Sequence, residues 1–448
     1  MSVTEAHAPS GDPPPSVPAG QLLALLALAA CIGVVVSLAA WCFLQLVHYM
    51  PQWVYEDLPD AAGYDHGAPL WWYLPVCAFA GLVVAFAIVR LPGHGGHVPS
   101  EGLNASPTQP IDLPGVMLAA VATLGLGLVL GPEAPLLALG GGLAILAIRL
   151  VRRDAPDEVV GVMAACGAFA ALSFIFASPL IAAVILIEAT GIGGPRLPVV
   201  LVPGLLAAGI GSLVSLGMGS FTGLDSSDYA LGALSLPDFA RPDLVDFAWT
   251  IPFAVAVAVG VYVILRGARA LHGFIESREF VLLPLAGLAV AGSAIAFEAI
   301  TDHSVNDVLF SGEAALPGLV AGAGTWEVSA LLLVIAFKGL AWTISLASFR
   351  GGPIFPALFL GAAAGLVGSH LAGFDETAAV AVGLGAATAS ALGLPLSAVV
   401  LATLLTAKSG AGATPLVIVG VVAAYLTTRV LSRPHRAPAP VATAGAHA

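Results

Sequence analysis

Two copies of one ten-residue pattern decide how this chain folds. The first copy is Gly131-Pro132-Glu133-Ala134-Pro135-Leu136-Leu137-Ala138-Leu139-Gly140. The second copy is Gly352-Pro353-Ile354-Phe355-Pro356-Ala357-Leu358-Phe359-Leu360-Gly361, which begins 221 residues later. Both read G-P-x-x-P-x-L-x-L-G and continue into small residues. Glycine lets the chain turn sharply and proline suits the first helical turn, so each copy predicts the start of a helix.

A second pair of matching segments supports an internal duplication. The segment Pro179-Leu180-Ile181-Ala182-Ala183-Val184 matches Pro395-Leu396-Ser397-Ala398-Val399-Val400, 216 residues later. Two matches at nearly one spacing predict duplicated halves, at about 21–218 and 247–431. The alternative is chance similarity among runs rich in Ala, Leu, Gly and Pro.

The composition indicates a membrane protein. Of the 448 residues, 58% are hydrophobic and only 9% are Asp, Glu, Lys or Arg, whereas soluble domains contain about 25% charged residues. We therefore predict an all-α, polytopic membrane protein whose transmembrane domain covers residues 21–433. The flanking segments 1–20 and 434–448 are rich in Pro and polar or small residues, and we expect disordered tails there.

Several apolar segments are too short to cross a bilayer. The blocks at 179–190, 377–392 and 395–407 fall below the length of about 17 residues that a straight span needs. Broken or re-entrant helices of this kind are tolerated only where protein buries them or where they line a cavity. Duplicated transporters bind substrate between their halves, and helix N-termini stabilise anions. The sequence therefore predicts an anion site between the two G-P-x-x-P starts.

Glu133 is an acid lodged between apolar blocks at one of these helix starts. An intramembrane carboxylate marks a functional site unless another reason for it is found. The helix dipole favours its charged form, whereas desolvation favours its neutral form. A charged Glu133 would fill the anion site itself, and a neutral one would swing away and admit an anion. The alternative is a carboxylate that only caps its own helix.

Four motifs together resemble one known family. Gly131–Pro135 is similar to the G-R-E-G-P motif of the CLC chloride channels and transporters, and Gly351–Pro356 resembles their G-G-I-F-A-P segment. Gly95–Pro99 resembles their G-S-G-I-P element, and Ser178–Ala189 resembles the segment that carries their internal glutamate. The motifs occur in family order across the apolar region. The resemblance is greatest to a divergent bacterial branch described in terms of ion transport.

The resemblance implies a fold, a function and a set of site residues. The expected fold is a pair of inverted-topology repeats with many tilted and re-entrant helices, in a homodimer with one pore per subunit. The expected function is passage of chloride or a similar small anion through a multi-pass protein of the cell membrane. Glu133 takes the position of the gating glutamate. The implied anion-binding residues are Gly95, Gly96, Gly131, Ala134, Gly352, Ile354 and Phe355.

The sequence departs from the family pattern around the anion. Gly96 replaces a serine, so a hydroxyl donor is lost, and the selectivity between chloride and nitrate is open. Pro132 replaces an arginine, and neither Pro132 nor Pro353 has a backbone N–H to donate. These changes predict an anion site that is weaker or differently shaped than in other members.

A second departure concerns the route for protons. Ala189 stands at the position of the family's internal glutamate, and Glu188 comes one residue earlier, a rotation of about 100° on a helix. Glu188 therefore stays only a possible proton-path residue. The family's central tyrosine has no match, because Tyr425, the last tyrosine, comes too early in the final helix. These departures favour passive flux over strict proton coupling. A proton/anion exchanger, a fluoride or nitrate transporter, and a transport-inactive structural protein remain alternatives.

Other functional classes find little support. No Ser/His/Asp or HExxH arrangement is present, so we expect no enzyme, and no motif calls for a cofactor. With 15 basic and 27 acidic residues the chain lacks the basic stripes of nucleic-acid binding. His94 and His97 lie in a glycine loop without further ligands, so no metal site is expected.

Several charged residues have open interpretations. Arg350 either draws anions to the inner vestibule or stabilises a helix end, and Lys338 in an apolar run needs a partner, a path to the interface or a cavity. One polar loop is expected to expose its charged side chains to solvent. Those side chains are Glu298, Asp302, His303, Asp307 and Glu313.

Overall fold

The computed structural model describes residues 19–65, 67–103, 106–222 and 231–433, and its regular structure is helical. The sixteen α-helices of this part of the chain are α1 (Ala19–Gln52), α2 (Leu58–Ala61), α3 (Tyr73–Arg90), α4 (Leu113–Gly125), α5 (Glu133–Val151), α6 (Asp157–Ile175), α7 (Pro179–Thr190), α8 (Leu197–Thr222), α9 (Leu244–Ile275), α10 (Glu279–Thr301), α11 (Ala315–Ala321), α12 (Val328–Ser348), α13 (Ile354–Gly368), α14 (Glu376–Leu392), α15 (Pro395–Leu405) and α16 (Thr414–Leu431). Residues 1–18 of the tail predicted at 1–20, and the tail predicted at 434–448, lie outside the described residues. Ala19 and Gly20 already belong to α1.

The all-α membrane fold is confirmed. Eight helical segments of the described chain are long and apolar enough to cross a membrane. The three short apolar blocks predicted from the sequence correspond to α7, α14 and α15, which have 12, 17 and 11 residues. The protein is therefore a multi-pass membrane protein that combines full spans with short helices.

The two predicted repeats are present in the fold. The two sequence copies begin α5 and α13, and the pairs α6 and α14, α7 and α15, and α8 and α16 follow in the same order. Gly140 packs on the backbone of Gly167, and Gly361 packs on that of Gly383, so closely that a Cβ at Gly140 or Gly361 would meet a carbonyl oxygen. Small residues let membrane helices approach in this way. The exact boundaries of the repeats stay predictions.

The two repeats meet backbone to backbone at the first residue of each copy. The Gly131 N–H donates to the Gly352 carbonyl at 2.7 Å, and the Gly352 N–H donates to the Gly131 carbonyl at 2.6 Å. This antiparallel bridge exchanges the same two bonds in both directions, as residues related by a two-fold axis would. It places the starts of α5 and α13 side by side in the buried centre.

Lys338 in α12 ties the polar loop before α11 to the core. Its side chain is fully buried, and its ammonium donates to the carbonyls of Asp307, Val308 and Leu309 at 3.1 Å each and to that of Phe310 at 3.4 Å. The same ammonium lies 4.5 Å from the centre of the ring of a phenylalanine in α13. The partners that this charge requires are therefore backbone oxygens and a π face.

Candidate anion site

Glu133 is fully buried where the two repeats meet. Its Oε1 accepts a hydrogen bond from the Ile354 N–H, the first residue of α13. Its Oε2 is buried and has no hydrogen-bond partner among the described residues. Gly131 and Gly352 lie directly against the carboxyl group, and a Cβ at either position would collide with it. The lack of side chains at these two glycines creates the space that the carboxylate fills.

The start of α13 has few backbone donors, and this explains the contact with Glu133. The first N–H groups of a helix have no acceptor within the helix. Pro353 and Pro356 have no N–H at all, so Ile354 and Phe355 supply the donors of this turn. Glu133 provides the acceptor that the Ile354 N–H needs, and a negative charge suits this end of a helix. A free anion would find the same donor in the same place.

A polar pocket lies next to this contact. Its volume is about 270 Å³. The predicted anion-binding residues Gly95, Gly96 and Ala134 all line it, together with Arg350 and Gly351. The other predicted residues, Gly131, Gly352, Ile354 and Phe355, lie at the bridge and at the start of α13. The structure thus brings the predicted residues together as two adjoining parts of one region.

The wall formed by Gly95 and Gly96 depends on glycine. Their φ angles are 71° and 100°, in the region that favours glycine over other residues. A Cβ at Gly96 would also lie 3.3 Å from a side-chain carbon of Val116. Gly96→Ser would add a hydroxyl donor, but a serine would be strained in this backbone conformation.

Arg350 is the positive charge of the pocket. Its side chain is only 6% exposed, and its Nε and Nη1 donate to the carbonyls of His94 and Phe349 at 3.4 and 3.2 Å. Burial lowers the pKa of Arg350 to about 10, against the opposing effects of Glu279 and Glu101. The guanidinium therefore stays charged at neutral pH.

Glu188, the predicted proton-path candidate, is bound to another helix. Its Oε1 accepts from the Leu396 N–H at 2.9 Å, and its Oε2 accepts from the N–H and the hydroxyl of Ser397 at 2.7 Å each. Glu188 thus caps the start of α15, and its role in proton movement stays a prediction. The hydroxyl of Tyr425 accepts from Arg429 on its own helix.

Two residues of this region were missed by sequence reasoning. Glu313, expected in solvent, has a buried Oε1 without a partner among the described residues. Burial first, and then the Glu133 carboxyl, raise the pKa of Glu313 well above its usual range. Phe176, at the end of α6, stacks on Phe355 at 5.7 Å between ring centres. Neither residue stands in a recognisable motif, so only its position in the fold reveals it.

No group of three His, Cys, Asp or Glu suited to a metal ion occurs in the part of the chain that the structure describes. The site offers backbone N–H groups, the Glu133 carboxylate and the Arg350 guanidinium. Such groups bind and release small anions.

Comparison with protein families identifies the chain. Residues 81–429 match the family model described as voltage gated chloride channel. The chain belongs to this family, the CLC family. It is 29% identical over 357 residues to proteins named "Putative ion-transport protein YfeO" from Shigella boydii and Escherichia coli. The match covers 78% of this chain and 80% of each relative.

Solved CLC structures share the fold. A slow cyanobacterial Cl⁻/H⁺ antiporter superposes with a TM-score of 0.72 at 19% identity, over 91% of this chain and 95% of that chain. A CLC-type fluoride/proton antiporter gives 0.69 at 17% identity, over 93% and 98%. A eukaryotic CLC transporter gives 0.70 at 18% identity, over 92% and 73%. The CLC fold with its inverted repeats is thereby established for this chain.

Proposed function

We propose that this CLC protein conducts chloride passively through each subunit and that Glu133 is the gate. The observation that carries the proposal is the bond from the Ile354 N–H to the Glu133 carboxyl. It puts a carboxylate on the donor that an anion would use, where the two repeats meet. The protein would act in the cell membrane as a homodimer in the lipid bilayer.

The gate follows from competition between two anions for one donor. The charged carboxylate holds the Ile354 N–H and excludes chloride by occupancy and by like charge. Protonation removes the charge, which weakens the bond, because hydrogen bonds to charged groups are about twice as strong as neutral ones. The side chain then moves aside, and chloride takes the N–H. Protons would thus open the path without being carried across.

Passive flux is supported by the way Glu188 is held. Its carboxylate accepts three hydrogen bonds at the start of α15, which fix the side chain in place as a helix cap. The neighbouring Ala189 offers no titratable group. A proton/anion exchanger is the second candidate, and Glu313 favours it. That residue places a second buried carboxyl within electrostatic range of Glu133.

A flux assay in liposomes tests both candidates. Purified protein is placed in vesicles with high internal potassium chloride, valinomycin clamps the voltage, and chloride efflux and internal pH are recorded together. Passive conduction predicts chloride efflux without a proton signal, and Glu133→Gln should raise efflux at neutral pH about tenfold or more. That factor is the loss of one charge-assisted bond of about 1.5–3 kcal/mol.

Other outcomes would redirect the proposal. Uphill proton movement coupled to chloride efflux would establish an exchanger. Efflux only when nitrate or fluoride replaces chloride would change the substrate. No efflux with any of these anions, from either the wild type or Glu133→Gln, would leave a transport-inactive membrane protein.

A further inference from the structure

Arg350 uses only part of its hydrogen-bonding capacity within the protein. A guanidinium has five N–H donors. Within the described part of the chain, Arg350 donates through Nε to His94 and through Nη1 to Phe349, both of them backbone carbonyls. No described carboxylate lies within ion-pair distance of it. At least three donors therefore remain, on a side chain that lines the 270 Å³ pocket.

An unpaired buried charge is costly, and the pocket offers a reason for keeping it. Removing an ion from water costs several kcal/mol unless a counter-charge or enough hydrogen bonds replace the water. Two neutral carbonyls do this only in part. An anion in the pocket would supply both the counter-charge and the missing acceptor. The remaining desolvation cost of Arg350 is then a driving force for anion binding.

The other titratable groups at the pocket leave Arg350 as its source of positive charge. His97 lies 3.9 Å from Glu101, and burial lowers the pKa of His97, so the imidazole is mainly neutral at pH 7. The carboxylate of Asp112 lines the pocket too and would repel an anion from its own wall. Glu279 and Glu101 act on Arg350 from beyond ion-pair distance. An anion is therefore drawn to the wall formed by Arg350 and Gly351.

We propose that Arg350 is an anion-binding residue that holds a small monovalent inorganic anion in the polar pocket, beside the site occupied by Glu133. The guanidinium replaces the donors that this chain lacks at Gly96, Pro132 and Pro353. The pocket reaches Ala134, which directly follows Glu133, and Gly351, which directly precedes Gly352. The pocket thus adjoins the two residues that flank the contact between Glu133 and the Ile354 N–H. This inference rests on the proposed conduction of anions and adds Arg350 to the predicted binding residues of the pocket.

Chloride dependence of flux tests the role of Arg350. Arg350→Gln should raise the chloride concentration for half-maximal efflux about tenfold or more, which corresponds to about 1.4 kcal/mol, and Arg350→Lys should fall between Arg350→Gln and the wild type. Arg269→Gln is the matched control, because Arg269 also donates to a backbone carbonyl, that of Ser100, but does not line the pocket. It should leave the half-maximal concentration unchanged. An Arg350 that only holds two carbonyls would change protein yield or thermal stability and not this concentration, and that result would overturn the proposal.

Bromide diffraction gives an answer that does not depend on any variant folding. Crystals of the wild-type protein grown in sodium bromide should show an anomalous peak in contact with the Arg350 guanidinium. A pocket without a peak would overturn the proposal. Bromide bound at Arg350 in a protein that carries no anion in liposomes would instead refute the proposed conduction and leave the binding site standing. Efflux with an unchanged chloride dependence in Arg350→Gln would do the reverse.

Discussion

The starts of α5 and α13 have the same sequence pattern but opposite chemistry. Position three of the pattern is Glu133 in the first repeat and Ile354 in the second, 221 residues apart. The backbone bridge between Gly131 and Gly352 is symmetric, because each glycine both donates and accepts one hydrogen bond. The side-chain contact is not symmetric. Glu133 accepts, and Ile354 donates through its N–H. The two helix starts are thus symmetric in backbone pairing and asymmetric in their side chains at position three.

The same difference recurs at α7 and α15. In the first repeat Ser178 caps its own helix, accepting from the Ile181 N–H at 3.3 Å. In the second repeat Leu394 stands 216 residues after Ser178 and has no capping oxygen. Glu188 of the first repeat serves that helix start instead. Twice, therefore, the first repeat supplies an acid to a helix N-terminus of the second. We infer that the repeats hold each other through these contacts.

The largest expected effect is a loss of stability on replacing Lys338. Repeat one has no lysine at the corresponding position. Met117 stands 221 residues earlier. Lys338→Met should lower the free energy of unfolding by several kcal/mol, because each buried carbonyl left without a donor costs about 1–3 kcal/mol. Thermal unfolding in detergent measures this, with Lys408→Met, an exposed lysine, as the control. Equal melting temperatures for the two variants would show that the loop does not depend on the ammonium.

The glycine contacts test where the repeats are equivalent. Gly140→Ala and Gly361→Ala each place a methyl group against a backbone oxygen of the neighbouring helix. Overpacking of this kind costs about 1–3 kcal/mol, and we expect similar losses of melting temperature in the two variants. Gly209→Ala, where a Cβ would meet nothing within 4 Å, is the matched control. A large loss in only one of the two repeats would contradict their equivalence in packing.

The caps test where the repeats differ. Ser178→Ala should cost about 1 kcal/mol, the usual loss for a helix cap. Glu188→Ala removes an acceptor of three hydrogen bonds and should cost more, about 2–3 kcal/mol, because bonds to charged groups contribute about 1.5–3 kcal/mol each before relaxation. The comparison of the two melting temperatures is the measurement. A larger loss for Ser178→Ala would mean that Glu188 does not hold the repeats together.

Glu313 is an acid that the second repeat brings toward Glu133, and its effect depends on pH. Its pKa is raised in the folded protein, so its contribution to stability is fully present below the unfolded pKa of about 4.3 and is lost as the pH rises through the folded pKa. Glu313→Gln should therefore gain stability relative to the wild type as the pH rises above about 4.3. Melting temperatures of both proteins, measured at increasing pH from about 4 upward, measure the trend. Glu276→Gln, at an exposed carboxyl, is the control variant, and a constant difference for Glu313→Gln would refute the assignment.

The sequence predicted the repeated segments and the energetic cost of a charge in an apolar run. The two patterns fixed the starts of α5 and α13, and hydropathy located the short helices. The charge of Lys338 called for a partner, a path to the interface or a cavity, and the structure shows several partners. What the sequence did not show were the partners themselves. Those of Lys338 are backbone oxygens, which no side-chain pattern records.

Long-range acceptors escaped prediction for a related reason. Glu188 finds its donors 208 and 209 residues away, and the pattern around it describes only its own helix. Glu313 looked like one acid among several in a polar loop. Its burial results from the way that loop packs on α13, where Gly312 lies against Phe359. Local composition cannot distinguish such a residue from a solvated neighbour.

The bridge between Gly131 and Gly352 also constrains how the protein is made. At about 5–20 residues per second, the ribosome needs roughly 10 to 45 s to add the 221 residues that separate the second glycine from the first. Throughout that interval the N–H and the carbonyl of Gly131 have no partner from the second repeat, and unpaired backbone is costly in lipid. The first repeat must therefore wait in the membrane in an incomplete form. The contact between the starts of α5 and α13 therefore forms late, when Gly352 arrives.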